Sequence, residues 1–248
     1  MLLKKNLKRT ALSILITNAV IPSAYAAKDN SLPHYKHLIE STLKQIERTK
    51  SDTSAYKTTK IENINGDVSN VIATYDPRRK PQTPWHLITI DGDKPSKDQK
   101  EDFLISIDDS KPTKLNDFID INSLKLKEDG ENTITFYFEG RNKKFGDSVI
   151  GKLDGTIVLD KRENTLLSMI VVNNSKFSSK YTVDISHWSM KFEFARHGGF
   201  IIQTSQKAEM KGTIALFVDL DVNASVAYSN YEHFFDQSLT VNNDKQIK

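Results

Sequence analysis

The second half of this chain alternates apolar and polar residues with a period of two, and that pattern leaves little choice of architecture. In "TITFYFE", Ile134, Phe136 and Phe138 share one side; in "GTIVLD", Ile157 and Leu159 do; in "HWSMKFEFA", Trp188, Met190, Phe192 and Phe194 stand against Ser189, Lys191 and Glu193. Successive side chains of a strand point to opposite faces, so each segment reads as a strand with one buried face. "TIALFVDLDV" continues the pattern, with Ile214, Leu216, Val218, Leu220 and Val222 on a single face. Turn signals fall between the segments, at Asp129-Gly130 and at Arg196-His197-Gly198-Gly199. The pattern predicts about nine to eleven strands, consecutive and antiparallel, with little helix after residue 108.

Ahead of these strands, Leu32, Tyr35, Leu38, Ile39, Leu43 and Ile46 recur at three-and-four spacing. That predicts an amphipathic helix over residues 32–48, with Ser31 as its cap and Pro33 in its first turn. Two strands are expected over residues 57–62 and 68–75, joined at Asn65-Gly66. Asp76-Pro77 then stops the chain, because proline fixes φ and removes a ladder donor. Arg78, Arg79 and Lys80, held between prolines, predict a stiff basic loop: a solvated turn, or a contact for an acidic partner or an anionic headgroup. "WHLITI" reads as a strand with Trp85, Leu87 and Thr89 on one face and His86, Ile88 and Ile90 on the other. Ser96 and Gln99, at capping-box spacing, open a short charged helix over residues 97–107.

The expected fold is therefore mainly β with a minor helical part (α+β): a curved antiparallel meander. The N-terminal helix and the short second helix lie over its concave face. The strands carry more large apolar side chains on one face than two helices can cover. Either the sheet packs on itself or part of that face lines a cavity able to hold an apolar ligand. The candidate lining is Trp85, Phe136, Phe138, Trp188, Phe192, Phe194 and Phe200, the same residues that would form the core of a self-packed sheet.

The first residues bear on compartment. Lys4, Lys5, Lys8 and Arg9 precede a short apolar run and a small-residue site, Ala24-Tyr25-Ala26, the layout of a cleavable export signal over residues 1–26. The run is too short for a membrane span of about 20 residues. Removing those four cations takes the formal charge from +3 to −1, so the basicity belongs to the leader and implies no nucleic-acid partner. With no cysteine there is neither a lipid-bearing thiol nor a disulfide. A soluble periplasmic protein, or a secreted one, is expected, with one domain over residues 27–239, a loose tail over 240–248 and no stable membrane insertion.

Chemistry leaves few marks. His34, His37 and Glu40 share a helix face, but no second cluster completes a zinc-like ligand set, and no metal site is expected. No nucleophile elbow, phosphate-cradling loop or dinucleotide fingerprint is present, so neither catalytic residues nor a cofactor are expected. A hydrolase of cell-envelope material would need carboxylates that meet only in three dimensions.

The spacing Tyr75-Asp76-Pro77, Trp85-x-Leu87 and Asp91-Gly92-x-x-Pro95-Ser96, followed by a helix, resembles an uncharacterised family of secreted bacterial proteins. The order of signal peptide, helix, strands, Trp strand, helix and long meander resembles the LolA/LolB superfamily of periplasmic lipoprotein and lipid carriers. The resemblance implies an unclosed half-barrel whose helices close an apolar cavity. It also implies a non-enzymatic carrier whose partner is a hydrophobic or acylated small molecule. The other expectation is a structural or interaction module that meets an envelope protein through residues 78–80.

Overall fold

The helical stripe at the start of the domain runs further than its apolar residues alone predict. In the computed structural model, which describes residues 32–79, 83–109, 114–180, 182–215 and 217–234, helix α1 spans Leu32–Asp52. Ile39, Leu43 and Ile46 are buried, and so are Thr42 and Thr49 on the same face. A threonine continues a buried stripe by keeping its methyl inward, which an apolar count leaves out. Ser31 lies outside the described residues.

The strands are β1 (Ser54–Ile64), β2 (Asp67–Tyr75), β3 (Trp85–Ile90), β4 (Lys125–Asp129), β5 (Thr133–Glu139), β6 (Leu153–Asp160), β7 (Thr165–Asn173), β8 (Phe177–Lys180), β9 (Val183–His197), β10 (Phe200–Ile214) and β11 (Val218–His233). The second helix, α2, covers Lys97–Asp109, and 3-10 segments lie at Pro77–Arg79, Leu115–Phe118, Ile121–Ser123 and Lys143–Val149. The capping box forms as expected: Ser96 N–H donates to Gln99 Oε1 at 2.9 Å, and Gln99 N–H to Ser96 Oγ at 3.2 Å.

All these strands join one antiparallel 11-stranded sheet in the order β3-β2-β1-β11-β10-β9-β7-β6-β5-β4, with β8 paired to β9. The ends, β3 and β4, do not pair with each other, so the sheet is open, consistent with a half-barrel. Two expectations are corrected. The meander is not consecutive throughout, because β1 pairs with β11 and brings the first three strands against the last. "TIALFVDLDV" is not one strand either. β10 ends at Ile214, Ala215 adopts φ 51°, and β11 begins at Val218, so the alternating segment spans a hairpin turn.

Of the several bulges in the sheet, two re-aim side chains towards the inner face beside Trp85 and Tyr56. Ile72 opposes Thr89 while Ala73 opposes Leu87, which leaves Ile88 as the extra residue of β3. Ile90 thereby joins Trp85 and Leu87, and Thr89 leaves them, contrary to strict alternation. Between the Lys57–Ser229 and Ala55–Glu232 pairs, β11 also carries one extra residue, with Asn230 at φ 53°.

The core lies between one face of the sheet, here the inner face, and α1 with the 3-10 segments that follow α2. It gathers Ile39, Leu43 and Ile46 with Phe118, Phe136, Phe138, Met169, Val171 and Phe192. At the opposite extreme, the hairpin ends expose Ile64, Val68 and Val218, and Phe217 is 88% exposed. Among the described residues, no helix is long and apolar enough to cross a membrane.

Candidate functional site

Opposed residues of an antiparallel pair share a face, so the register traces rows across the inner side of the sheet. One row runs Met169, Phe192, Gln206, Val226, Lys60 and Val71. The next runs Val171, Met190, Ala208, Ala224, Glu62 and Ser69. A third runs Trp188, Met210, Val222 and Ile64. Each row begins in the core, where Met169, Val171, Phe192 and Trp188 are buried. Each then becomes half-exposed on β10 and β11, at Ala208, Met210, Val222, Ala224 and Val226. The apolar face continues past the end of its cover. The result is an open strip of small and flexible side chains along two long strands.

The strip has a polar margin. On β1, Lys60 Nζ and Glu62 Oε2 form an ion pair at 2.8 Å. At the α1 end of the strip, Tyr228 follows Val226 on the same face of β11. Lys50, in the last turn of α1, donates from Nζ to Tyr228 Oη at 2.9 Å and to Gln203 Oε1 at 3.2 Å. The same nitrogen lies 4.1 Å from the centre of the Tyr228 ring. Around this point Tyr56, Tyr75, Tyr228 and Tyr231 form an aromatic cluster; Tyr231 reaches it through the β11 bulge and donates its hydroxyl to Gln203 O at 2.7 Å. Burial pushes the Tyr56 and Tyr231 hydroxyls well above the ordinary phenol range, with neighbouring tyrosines adding to the shift.

The aromatic residues singled out from the sequence divide into three groups. Phe136, Phe138, Trp188, Phe192 and Phe194 all lie within the packed core. Tyr35 of α1 covers Phe136 at 5.1 Å, and Phe118 covers Trp188 and Phe192 at 6.3 and 5.4 Å. Trp85 belongs to the tyrosine cluster, 5.1 Å from Tyr75, with Phe103 of α2 at 6.3 Å. Phe200 stands apart at the β9–β10 turn, 4.6 Å from the His233 ring. The half-exposed strip residues were not among those singled out. The signal was present as alanine, valine and methionine alternating with polar residues in "QKAEMKG" and "VNASVAYS", but at low hydrophobic contrast.

The basic loop meets the outer face. Arg78 bonds Asp76 at 2.9 Å and Glu232 at 3.1 Å and stacks over the Phe234 ring at 3.7 Å. Its hydrogen bond holds the Asp76 carboxyl below the usual carboxylate range. Glu232 pairs in register with Ala55, on the side of the sheet opposite Tyr56, so Arg78 does not face the strip. Arg79 is exposed, and Lys80 lies outside the described residues.

A cleft of about 520 Å³ opens elsewhere, lined by Asp120, Glu139, Arg141, Asn142 and Asp147 among others. Asp120 is committed there to Arg141 and to the Asn122 N–H. His34 and His37 are exposed on α1, and among the described residues no three metal-binding side chains come together. His187 faces Glu209 at 3.5 Å.

No protein-family model matches the chain, and no curated protein does. Among solved structures the chain is similar to the crystal structure of a DUF1329 family protein from Desulfovibrio piger, at 10% identity. That match covers 82% of this chain and 92% of the other, with a TM-score of 0.36, a likeness too slight to bear on what the chain does.

Proposed function

We propose that this chain is a non-enzymatic, exported carrier that holds an acyl-bearing molecule along the inner face of its sheet. The supporting observation is the strip on β10 and β11, where the apolar face of the core outruns its cover. From Tyr228 to Val222 is six residues of strand, roughly 20 Å. One leaflet's share of a bilayer's hydrocarbon is about 15 Å, so the strip is long enough for one extended lipid tail. At its far end the apolar run continues through Leu220 towards the exposed Val218 and Phe217, a route by which a tail can enter and leave.

Magnitude limits how firmly the strip alone can hold. Burying sixteen methylenes completely would yield about 13 kcal/mol, and an open strip covers one side of the tail, so about half of that. Association itself costs at least about 4 kcal/mol. The remainder, at most about 2.5 kcal/mol, is weaker than millimolar binding, so a tail on this strip stays exchangeable and a loaded carrier needs a second contact.

The test is uptake of hexadecanoate by the lipid-free protein, followed by native mass spectrometry. Ala224→Glu, which places a charge in the middle of the strip, is expected to lower uptake at least about tenfold. Asn223→Glu, on the outer side of the same strand, is expected to leave it unchanged. Equal uptake by a folded Ala224→Glu protein would remove the strip as the binding surface.

A further inference from the structure

Resting on that reading, we propose that Lys50 is the head-group anchor and that the ligand is an anionic amphiphile, with a carboxylate or phosphate head at Lys50 and its tail along Val226, Ala224 and Val222. The assignment comes from how this cation is solvated. An ammonium carries three donors and a full charge. Lys50 is half-buried, and both of its protein partners, Tyr228 Oη and Gln203 Oε1, are neutral oxygens. Among the described residues no carboxylate pairs with it. Lys60, the lysine on the neighbouring inner row, shows the contrast, since it has its own carboxylate in Glu62.

Position in α1 explains part of this. A cation in a last helical turn is favoured by the carbonyl dipoles. That effect does not require the side chain to fold inward over Tyr228, onto the face that carries the strip. The placement puts a cation that has no carboxylate partner among the described residues at one end of a tail-length apolar surface, with two of its three donors given to Tyr228 and Gln203. An anionic oxygen there gains a charge-assisted hydrogen bond in a half-desolvated setting, stronger than one in open water. It also supplies the second contact that the open strip needs.

The experiment compares three probes of one chain length, hexadecanoate, hexadecyl phosphate and hexadecanol, by titration calorimetry on the full chain stripped of lipid. The wild-type protein is expected to bind at least one anion about tenfold or more tightly than the alcohol; whichever anion is preferred identifies a fatty-acid or a phospholipid-type source. Lys50→Met should bring the affinity for the preferred anion down to that for hexadecanol, and Lys50→Arg should retain the preference. Equal wild-type affinity for all three probes would overturn the anchor while sparing the strip. A Lys50→Met protein that melts earlier but keeps the preference would also overturn it, leaving Lys50 a helix-end cation. No binding of any probe by the wild-type protein would overturn the carrier reading itself. The wild-type comparison decides the matter even if the variant does not fold.

Discussion

One of the largest side chains of the core, Phe138, is fitted to a position that has none. Phe138 opposes Gly155 across β5 and β6, and a Cβ at Gly155 would lie 2.1 Å from the Phe138 ring. The ring therefore lies across the glycine, and its complete burial depends on that gap. Gly155→Ala is expected to lose about 1–3 kcal/mol through overpacking, seen as a lower urea midpoint at unchanged slope. Glycine inside the alternating "LDGTIVLD" marks a close approach in sequence terms, although the pattern does not say by what. The aromatic rows were legible in the same partial way. Their alternation placed Phe136, Phe138, Trp188, Phe192 and Phe194 on one face, correctly. Whether that face met protein or ligand depended on where Tyr35 and Phe118 come to rest, and no local period encodes that.

At the scale of elements, α1 decides where core ends and strip begins. Ile39, Leu43 and Ile46 are buried in the core, α1 packs chiefly against β10, and its last turn reaches only the Tyr228 end of the strip, through Lys50, which leaves Ala208, Met210, Val222, Ala224 and Val226 half-exposed. Leu43→Ala is expected to cost about 2–5 kcal/mol, because a fully buried leucine leaves a cavity that its neighbours only partly fill. The measure is chemical denaturation followed by tryptophan fluorescence. The helix and the capping box were readable because three-and-four spacing and Ser-x-x-Gln are local signals. The two bulges were not. A single extra residue at Ile88 or near Asn230 reverses inside and outside for the rest of its strand, and it shows only when the partner strand is known. Tyr231 reached the aromatic cluster, and Ile90 the inner face, through those reversals.

At the scale of the whole molecule, the feature furthest from sequence reading is the seam between β1 and β11. Ser54 Oγ meets His233 Nδ1 there at 2.7 Å across 179 positions of chain. Burial and the nearby His197 hold the His233 pKa below its ordinary 6.5, against a smaller opposing pull from the His197 backbone carbonyl. The unfolded chain therefore takes up this proton at a higher pH than the folded one. The seam's contribution is thus complete above about pH 6.5 and is lost as pH falls through the lower folded value. The expected result is a urea midpoint that drops between pH 7 and pH 5.5, with a smaller drop in His233→Gln.

The same seam orders events in time. Local hairpins can form as soon as their residues are available, whereas β1 must wait for the last strand of the domain, and such distant pairings are slow. The strip lies largely on that last strand and its neighbour. If the proposed carrier role holds, an unfinished chain has no surface on which to hold a tail, and a bound tail favours the joined sheet over the opened one. Ligand occupancy would then act as a certificate of completed folding, withheld from truncated or misassembled copies.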